Sequence, residues 1–170
     1  SATTGDNGSN YNTSFGPDSE AFVTLAAIRD SYVFVMTRVS AAGSADGYIH
    51  GFRGGSAGDF FVYRFDNQAY TQIGADVNTT TLSAGDKIGG DIIGSALKSY
   101  YYNGTSWTQK NSETDTTYAG TGTLAYMVYV TATPTAGGGD DFSGGTVVVA
   151  GADADGGGPR TFFASPVGFP

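Results

Sequence analysis

The sequence of 170 residues contains no cysteine, which excludes disulfide bonds, thiolate catalysis and cysteine-ligated zinc. It contains a single histidine, His50, too few for an ordinary histidine zinc site. It also lacks any run of about 18 apolar residues, the length that a membrane-spanning helix needs. We therefore predict no membrane insertion and no cofactor other than an oxygen-ligated ion.

Residues that favour surface helices are scarce. The chain has two glutamates and three lysines, and only 14% of its residues are charged. In contrast, 14% are aromatic, and the 27 glycines are about twice the number that average usage predicts. Many short strands joined by tight turns have this composition, whereas solvent-facing helices do not. We predict one all-β domain.

Positive charge is also scarce, since 16 acidic residues face 8 basic ones and the net charge is −8. Such a field repels phosphate backbones and anionic lipid, so nucleic acid is excluded as a partner. The chain begins with Ser1 rather than methionine and shows no signal peptide. This favours a processed or truncated product and an extracellular, cell-surface or virion-surface location.

The most informative stretch is a meander between residues 84 and 118. Asn103-Gly104 joins two aromatic-rich segments, Ser95–Tyr102 and Thr105–Lys110, and predicts a hairpin with a two-residue turn. Ile88–Ile93 precedes them as a third strand, interrupted at Gly89-Gly90. Three antiparallel strands need a second layer to bury their apolar face, so we predict a sandwich.

The rest of the chain supplies further strands. Alternation in Glu20–Ile28 places Phe22 on one face and Val23 and Leu25 on the other, and Tyr48, His50 and Phe52 share a face. The other predicted strands are Tyr32–Val39, Tyr48–Arg53, Phe60–Phe65, Tyr70–Gly74, Thr79–Leu82, Thr123–Ala132 and Gly145–Ala150, with a loop from Pro134 to Asp141. We divide the chain into an N-terminal extended arm (1–17), a two-sheet antiparallel β-sandwich (18–150) and a C-terminal extension (151–170).

Several segments, in this order, resemble the LamG-like, concanavalin A-like lectin/glucanase jelly roll, in the divergent form found in bacterial surface proteins and in phage virion or tail-fibre proteins. They are PDSEAFVTL (17–25), DGYIHGFRG (46–54), LSAGDKIGG (82–90), SYYYNGTSW (99–107), DTTYAGTGTL (115–124) and DDFSGG (140–145). The resemblance implies two antiparallel sheets, one of them concave, with ligands held on that face or at its rim. It also implies a further strand at the start, which this chain begins too late to contain in full. We expect either that a neighbouring subunit supplies this strand or that the two terminal segments reach out to neighbours.

The residues argue against an enzyme. The glucanase relatives carry a Glu-x-Asp-x-x-Glu motif, and neither Glu20 nor Glu113 stands in such a pattern. A serine triad would have to use His50, which lies between Tyr48 and Phe52 in a strand without a nucleophile elbow. We predict a structural role for His50.

Aromatic residues of the meander and of the following strand are the candidates for sugar binding, because exposed rings stack on the C–H faces of sugars. We predict that Trp107, Tyr100, Tyr102 and Tyr129 bind a glycan. Alternation sends Tyr101 to the opposite face, and packing in the core is the alternative for most of this set, which includes Tyr126.

Two acidic loops are candidates for calcium, which prefers carboxylate and carbonyl oxygens. They contain Asp140 and Asp141 in one case and Asp153 and Asp155 in the other. The second lacks the distal glutamate of a full calcium loop. The alternative is that these carboxylates accept hydrogen bonds from backbone N–H groups in ordinary turns.

Together these observations predict a non-catalytic β-sandwich that recognises a glycan or cell-surface polysaccharide. The alternative is a structural subunit of a fibre, capsid or surface layer that contacts copies of itself or other subunits through its tails, since Pro and Phe in PRTFFASPVGFP suit docking into a groove. A glycoside-active enzyme is a distant third.

Overall fold

The computed structural model describes residues 5–27, 31–40, 46–54, 57–130 and 138–147. These residues form twelve β-strands. The strands are β1 (Gly5–Asn10), β2 (Ser19–Ala27), β3 (Ser31–Val39), β4 (Gly47–Gly54), β5 (Ala57–Asp66), β6 (Ala69–Gln72), β7 (Val77–Thr81), β8 (Lys87–Ile93), β9 (Ala96–Tyr102), β10 (Trp107–Thr114), β11 (Thr123–Val130) and β12 (Gly138–Thr146). Within these ranges no helix is long and apolar enough to cross a membrane.

The strands form two antiparallel sheets. The larger has seven strands in the order β1-β11-β3-β4-β5-β6, and β7 pairs with a different part of β5. The smaller has five, in the order β10-β9-β8-β2-β12. The predicted all-β, two-sheet antiparallel sandwich is confirmed.

The inner faces meet in a core set by alternation. In β2, Val23 and Leu25 are buried between the sheets, whereas Phe22 lies on the outer face against Trp107. In β4, the side chains of Tyr48, His50 and Phe52 share a face, as predicted, and that face points inward. Burial of these apolar side chains, at about 25 cal/mol per Å², is what holds the two sheets together.

The sheets approach closely where β4 faces β8. His50 is 1% exposed, and its Nε2 lies 3.1 Å from the Thr37 hydroxyl oxygen. A Cβ atom at Gly90 would overlap the imidazole of His50. The prediction that Gly89-Gly90 interrupts the strand is wrong, because β8 is continuous. Gly90 instead leaves room for the imidazole.

We expect Gly90→Ala to lower the free energy of unfolding by about 1–3 kcal/mol, because the added methyl group overpacks a filled core. Urea titration followed by tryptophan fluorescence measures this loss. Gly120→Ala is the control, since a Cβ atom there meets nothing within 4 Å. Equal effects of the two substitutions would contradict the close approach.

The hairpin between β9 and β10 has a longer tip than predicted. Trp107 pairs with Tyr102, so the tip comprises four residues, 103–106. The side-chain oxygen of Asn103 accepts hydrogen bonds from the N–H groups of Thr105 and Ser106, both at 3.0 Å. The predicted two-residue turn is wrong because this asparagine stabilises the wider loop with its side chain.

Both ends of the predicted sandwich need correction. Gly5–Asn10, which we placed in the N-terminal arm, forms β1 and pairs with β11. This chain itself therefore supplies a strand of the kind that we expected from a neighbouring subunit. Gly138–Thr146 pairs with β2, although we predicted a loop up to Asp141 and a strand only from Gly145. Ladder hydrogen bonds need only backbone groups, so these glycine-rich segments pair without an apolar pattern. Residues 151–170 lie outside the described ranges.

One buried arginine closes an end of the sandwich. Arg38 is 5% exposed, and its guanidinium donates hydrogen bonds to the carbonyl oxygens of Pro17 (2.6 Å), Tyr118 (2.5 Å) and Gly94 (2.7 Å). Its charge is balanced by Asp18, whose carboxylate lies 3.7 Å away and also accepts the Gly94 N–H. A single side chain thus ties together segments that precede β2, follow β8 and precede β11.

Candidate functional site

A cleft of about 550 Å³ lies on the outer face of the larger sheet, over β3 to β6. Because strand side chains alternate between faces, the neighbours of inward-facing Val33, Phe52 and Phe60 point outward here. The residues that line this tyrosine cleft are Tyr32, Phe34, Ile49, Arg53, Phe61, Tyr63 and Tyr70.

Aromatic rings form a continuous wall along the tyrosine cleft. The ring of Tyr32 lies 6.2 Å from Phe61, Phe61 lies 5.2 Å from Tyr63, and Tyr63 lies 6.4 Å from Tyr70, all at steep angles. Phe65 supports Tyr70 from the side, at 4.8 Å. Tyr70 is 53% exposed, more than any other large apolar side chain in the described part of the chain. The wall therefore ends in an accessible ring.

The floor of the tyrosine cleft depends on a missing side chain. Gly51 pairs with Phe34 on β3 and with Phe61 on β5. A Cβ atom at Gly51 would lie 2.8 Å from that of Phe34 and would overlap the ring of Phe61. The ring of Phe61 therefore lies across the strand instead of standing upright, which keeps the floor low.

A polar rim borders the aromatic wall. The guanidinium of Arg53 forms ion pairs with Asp76 and, at 3.5 Å, with Asp59. The side-chain amide of Gln72 donates a hydrogen bond to the other oxygen of Asp76, at 2.9 Å. Burial lowers the pKa of Arg53, but the carboxylates and nearby tyrosines outweigh burial and raise it above its ordinary value. The rim thus holds a fixed cation and two carboxylates.

The structure places the predicted meander residues on the opposite side of the molecule. Trp107 and Tyr102 lie on the outer face of the smaller sheet, with ring centroids 5.2 Å apart. Tyr100 shares this face but is only 6% exposed, and its hydroxyl donates to Asp91 at 2.9 Å. Trp107 and Tyr102 are brought together, whereas Tyr100 lies beneath the surface.

The other tyrosines lie elsewhere. Tyr101 points inward, where its hydroxyl donates to Asp86 at 3.1 Å, and Tyr126 packs on Phe142 at 5.9 Å. The backbone of Tyr129 lies in β11 of the larger sheet, paired with Tyr32, whereas Trp107 belongs to the smaller sheet. The binding of a glycan by Trp107, Tyr100, Tyr102 and Tyr129 stays a prediction.

The predicted calcium residues are only partly described. Asp140 and Asp141 lie in β12 at an irregularity in its pairing with β2, where Asp141 has a φ of 49° and is exposed. Asp153 and Asp155 fall outside the described residues. In the part of the chain that the structure describes, no three acidic or histidine side chains come together in a way that could hold a metal ion.

The glutamates and the histidine considered for catalysis are far from one another. Glu20 is in β2 and Glu113 is in β10, and two strands, β8 and β9, separate them in the sheet. At about 4.8 Å per strand, their backbones are about 14 Å apart. His50 is buried between the sheets, where its ring lies within hydrogen-bond distance of the Thr37 hydroxyl.

The tyrosine cleft is not among the predicted sites, although the sequence contains a signal for it. In β3 and β5 the positions that face away from the core are Tyr32, Phe34, Phe61 and Tyr63, where a solvated sheet face would carry polar residues. Both faces of these strands are thus apolar. Such a pattern indicates that the second face is covered or binds something.

No protein-family model matches this sequence, and no curated protein matches it. Among solved structures, the fold is similar to the carbohydrate binding module CBM66 from Bacillus subtilis, with a TM-score of 0.56 and 15% identity over 75% of this chain and 80% of that one. It is also similar to sheep galectin-11 in complex with glycerol, with a TM-score of 0.54 and 5% identity over 85% and 99%.

A weaker likeness links the chain to the GH43 protein BlXynB from Bacillus licheniformis. The TM-score is 0.44 and the identity 12%, over 65% of this chain and 23% of that one. This likeness is too low to carry an argument. The first two show the fold: the chain forms a jelly-roll β-sandwich of the concanavalin A-like kind.

Proposed function

We propose that this chain is a carbohydrate-binding β-sandwich that holds a neutral sugar in the tyrosine cleft. The observation that carries the proposal is the juxtaposition of an exposed ring, Tyr70, with the polar rim of Arg53, Asp76 and Gln72. The activity is recognition without bond cleavage.

A pyranose ring has two kinds of surface, and the tyrosine cleft offers a partner for each. Its C–H faces are apolar and stack on aromatic rings, which present an apolar body and a polar edge. Its hydroxyl groups need hydrogen bonds as both donors and acceptors. Arg53 and Gln72 donate, Asp59 and Asp76 accept, and the tyrosine hydroxyls do both. Few other small ligands combine flat apolar faces with so many hydroxyl groups.

Charge selects among sugars. The rim carries one cation and two carboxylates, and the whole chain has a net charge of −8. A carboxylated or sulfated sugar would have to approach a negative field, whereas a neutral one would not. We therefore propose that the ligand is a neutral glycan.

The solved structures support the proposal at the level of the fold, since one is named as a carbohydrate binding module and the other is a galectin with bound glycerol. The extracellular or virion-surface location remains a prediction from the sequence. The role as a structural subunit that contacts other copies also remains a prediction.

Tyr70→Ala is expected to weaken binding of a neutral oligosaccharide at the cleft at least about tenfold, the effect of removing one well-placed aromatic contact. A glycan array identifies the ligand, and isothermal titration calorimetry measures the affinity. Thermal stability should change little, because the ring is half in solvent.

Two variants serve as controls. Tyr70→Phe keeps the ring and should retain most of the affinity. Thr71→Ala changes an exposed residue of the same strand and should retain all of it. Preference for acidic over neutral glycans, or a Tyr70→Ala protein that keeps both the affinity and the number of bound sugars of the original, would contradict the proposal.

A further inference from the structure

The outer face of the smaller sheet carries a second aromatic surface. Trp107 comes from the edge strand β10, yet its ring reaches the second strand inward, β8. A Cβ atom at Gly89 would touch the indole at 3.4 Å. The ring of Phe22 on β2 lies 6.0 Å from that of Trp107. Because strands are about 4.8 Å apart, the Trp107 side chain reaches across about 10 Å of the sheet from its own backbone and lies over β9.

Neighbouring side chains hold the indole in place. The ring of Tyr102 is tilted by 41° against it at 5.2 Å, and the Tyr102 hydroxyl donates to the carbonyl oxygen of Gly104 at 3.0 Å. Beneath this surface, the buried hydrogen bond from Tyr100 to Asp91 links β9 to β8. Trp107 and Tyr102 thus form a preorganised surface, here called the tryptophan platform, and the buried ring of Phe22 supports the indole from the side.

Polar groups surround the tryptophan platform on several sides. The hairpin tip 103–106 is exposed and is held by the side chain of Asn103. Lys87 lies over the ring of Phe22, with its Nζ 5.3 Å from the centroid. In the sheet, Asp91 pairs with both Lys98 and Glu20, so charges of both signs are present. This mixture favours a neutral, hydroxyl-rich ligand over a charged one.

The two aromatic surfaces face opposite directions. The tyrosine cleft is on the outer face of one sheet and the tryptophan platform on the outer face of the other. Two packed sheets are about 10 Å apart, and side chains extend outward on both sides. A sugar seated on one surface therefore cannot touch the other.

We infer that the tryptophan platform is a second binding site for neutral glycan, so that a single copy of this chain binds two glycan chains and cross-links them. This inference rests on the proposed function, because it assigns the same ligand class to a second surface.

Calorimetry and precipitation test the inference. The probes are dextran, laminarin, galactan and inulin, together with short oligosaccharides of each. With the oligosaccharide of the probe that binds, the full chain should show two sites per monomer, whereas Trp107→Ala and Tyr70→Ala should each show one. With the polysaccharide, the full chain should form a precipitate that neither variant forms.

Trp107 is the only tryptophan, so its fluorescence should respond to sugar even in Tyr70→Ala.

Trp107→Phe is the second variant in case the alanine protein is unstable, and it should keep weakened binding on the platform. Light scattering establishes that the titrated protein is monomeric. One site per monomer, abolished by Tyr70→Ala and untouched by Trp107→Ala, would overturn this inference and leave the proposed function intact. One site abolished only by Trp107→Ala would overturn both the second site and the assignment of the cleft. Binding to none of the probes, nor to any glycan on an array, would overturn the proposed function itself.

Discussion

Arg38→Ala is expected to lower the free energy of unfolding by about 3–5 kcal/mol, the cost of removing one partner from a buried charged network. The substitution leaves the carbonyl oxygens of Pro17, Gly94 and Tyr118 without their donor. A carbonyl left unpaired away from water costs about 1–3 kcal/mol, but Pro17 and Gly94 are exposed and Tyr118 is half-buried, so water recovers part of this. Asp18 also loses its cation.

Urea titration at pH 7.5, followed by tryptophan fluorescence, measures the effect. Arg38→Lys should recover only part of the loss, because an ammonium group cannot match the planar fork that reaches three carbonyl oxygens at once. Arg53→Ala is the matched control, since this side chain is 37% exposed and its ion pairs should contribute about 1 kcal/mol or less. If Arg38→Ala and Arg53→Ala cost the same, Arg38 does not close the sandwich.

Acid is expected to destabilise the fold through His50 before the carboxylates titrate. Burial lowers the pKa of His50 to about 3, whereas an unfolded chain has a histidine pKa of about 6.5. Between these two pKa values the histidine is protonated in the unfolded chain but not in the folded chain, so the free energy of unfolding falls as the pH falls. The stabilisation that comes from keeping His50 neutral is fully present above pH 6.5. About 2 kcal/mol of this stabilisation should be lost by pH 5 and about 3 kcal/mol by pH 4.

Comparison with His50→Gln isolates this contribution. Glutamine carries no titrating group and can reach the position of Nε2, where the Thr37 hydroxyl lies. The free energy of unfolding of the original protein should drop by about 2 kcal/mol more than that of the variant between pH 7.5 and pH 5. Parallel pH profiles for the two proteins would show that His50 is not protonated on unfolding in this range.

The sequence predicts the central strands well because each has alternating apolar residues, the pattern that burial of one face of a strand requires. Alternation in EAFVTLAAI and in YIHGFR gives both the strand and the residues that share a face, and in the structure the faces with Val23, Leu25 and Tyr48 are the inward ones. The pairing partner of β12 is not predictable in this way. Its sequence, GGDDFSGGT, consists mainly of residues that favour turns, and its place is set by the open edge of β2.

The tyrosine cleft escaped prediction for a related reason. The meander draws attention to Trp107 because aromatic residues cluster there along the chain. Tyr32, Arg53, Tyr63 and Tyr70 come from four different strands, and only the sheet order brings them together. The position of Gly51 beneath Phe61 depends on the register of two strand pairs, which no local pattern specifies.

The pairings of β2 with β12 and of β1 with β11 also bear on the biosynthesis of the chain. Each joins strands that lie more than a hundred residues apart in the sequence. A ribosome would release β2 long before β12, so one edge of β2 would stay open while most of the chain is made. Folding dominated by such distant contacts takes milliseconds to seconds. During synthesis this open edge is the place where a chaperone, or an unwanted second copy, would meet the nascent chain.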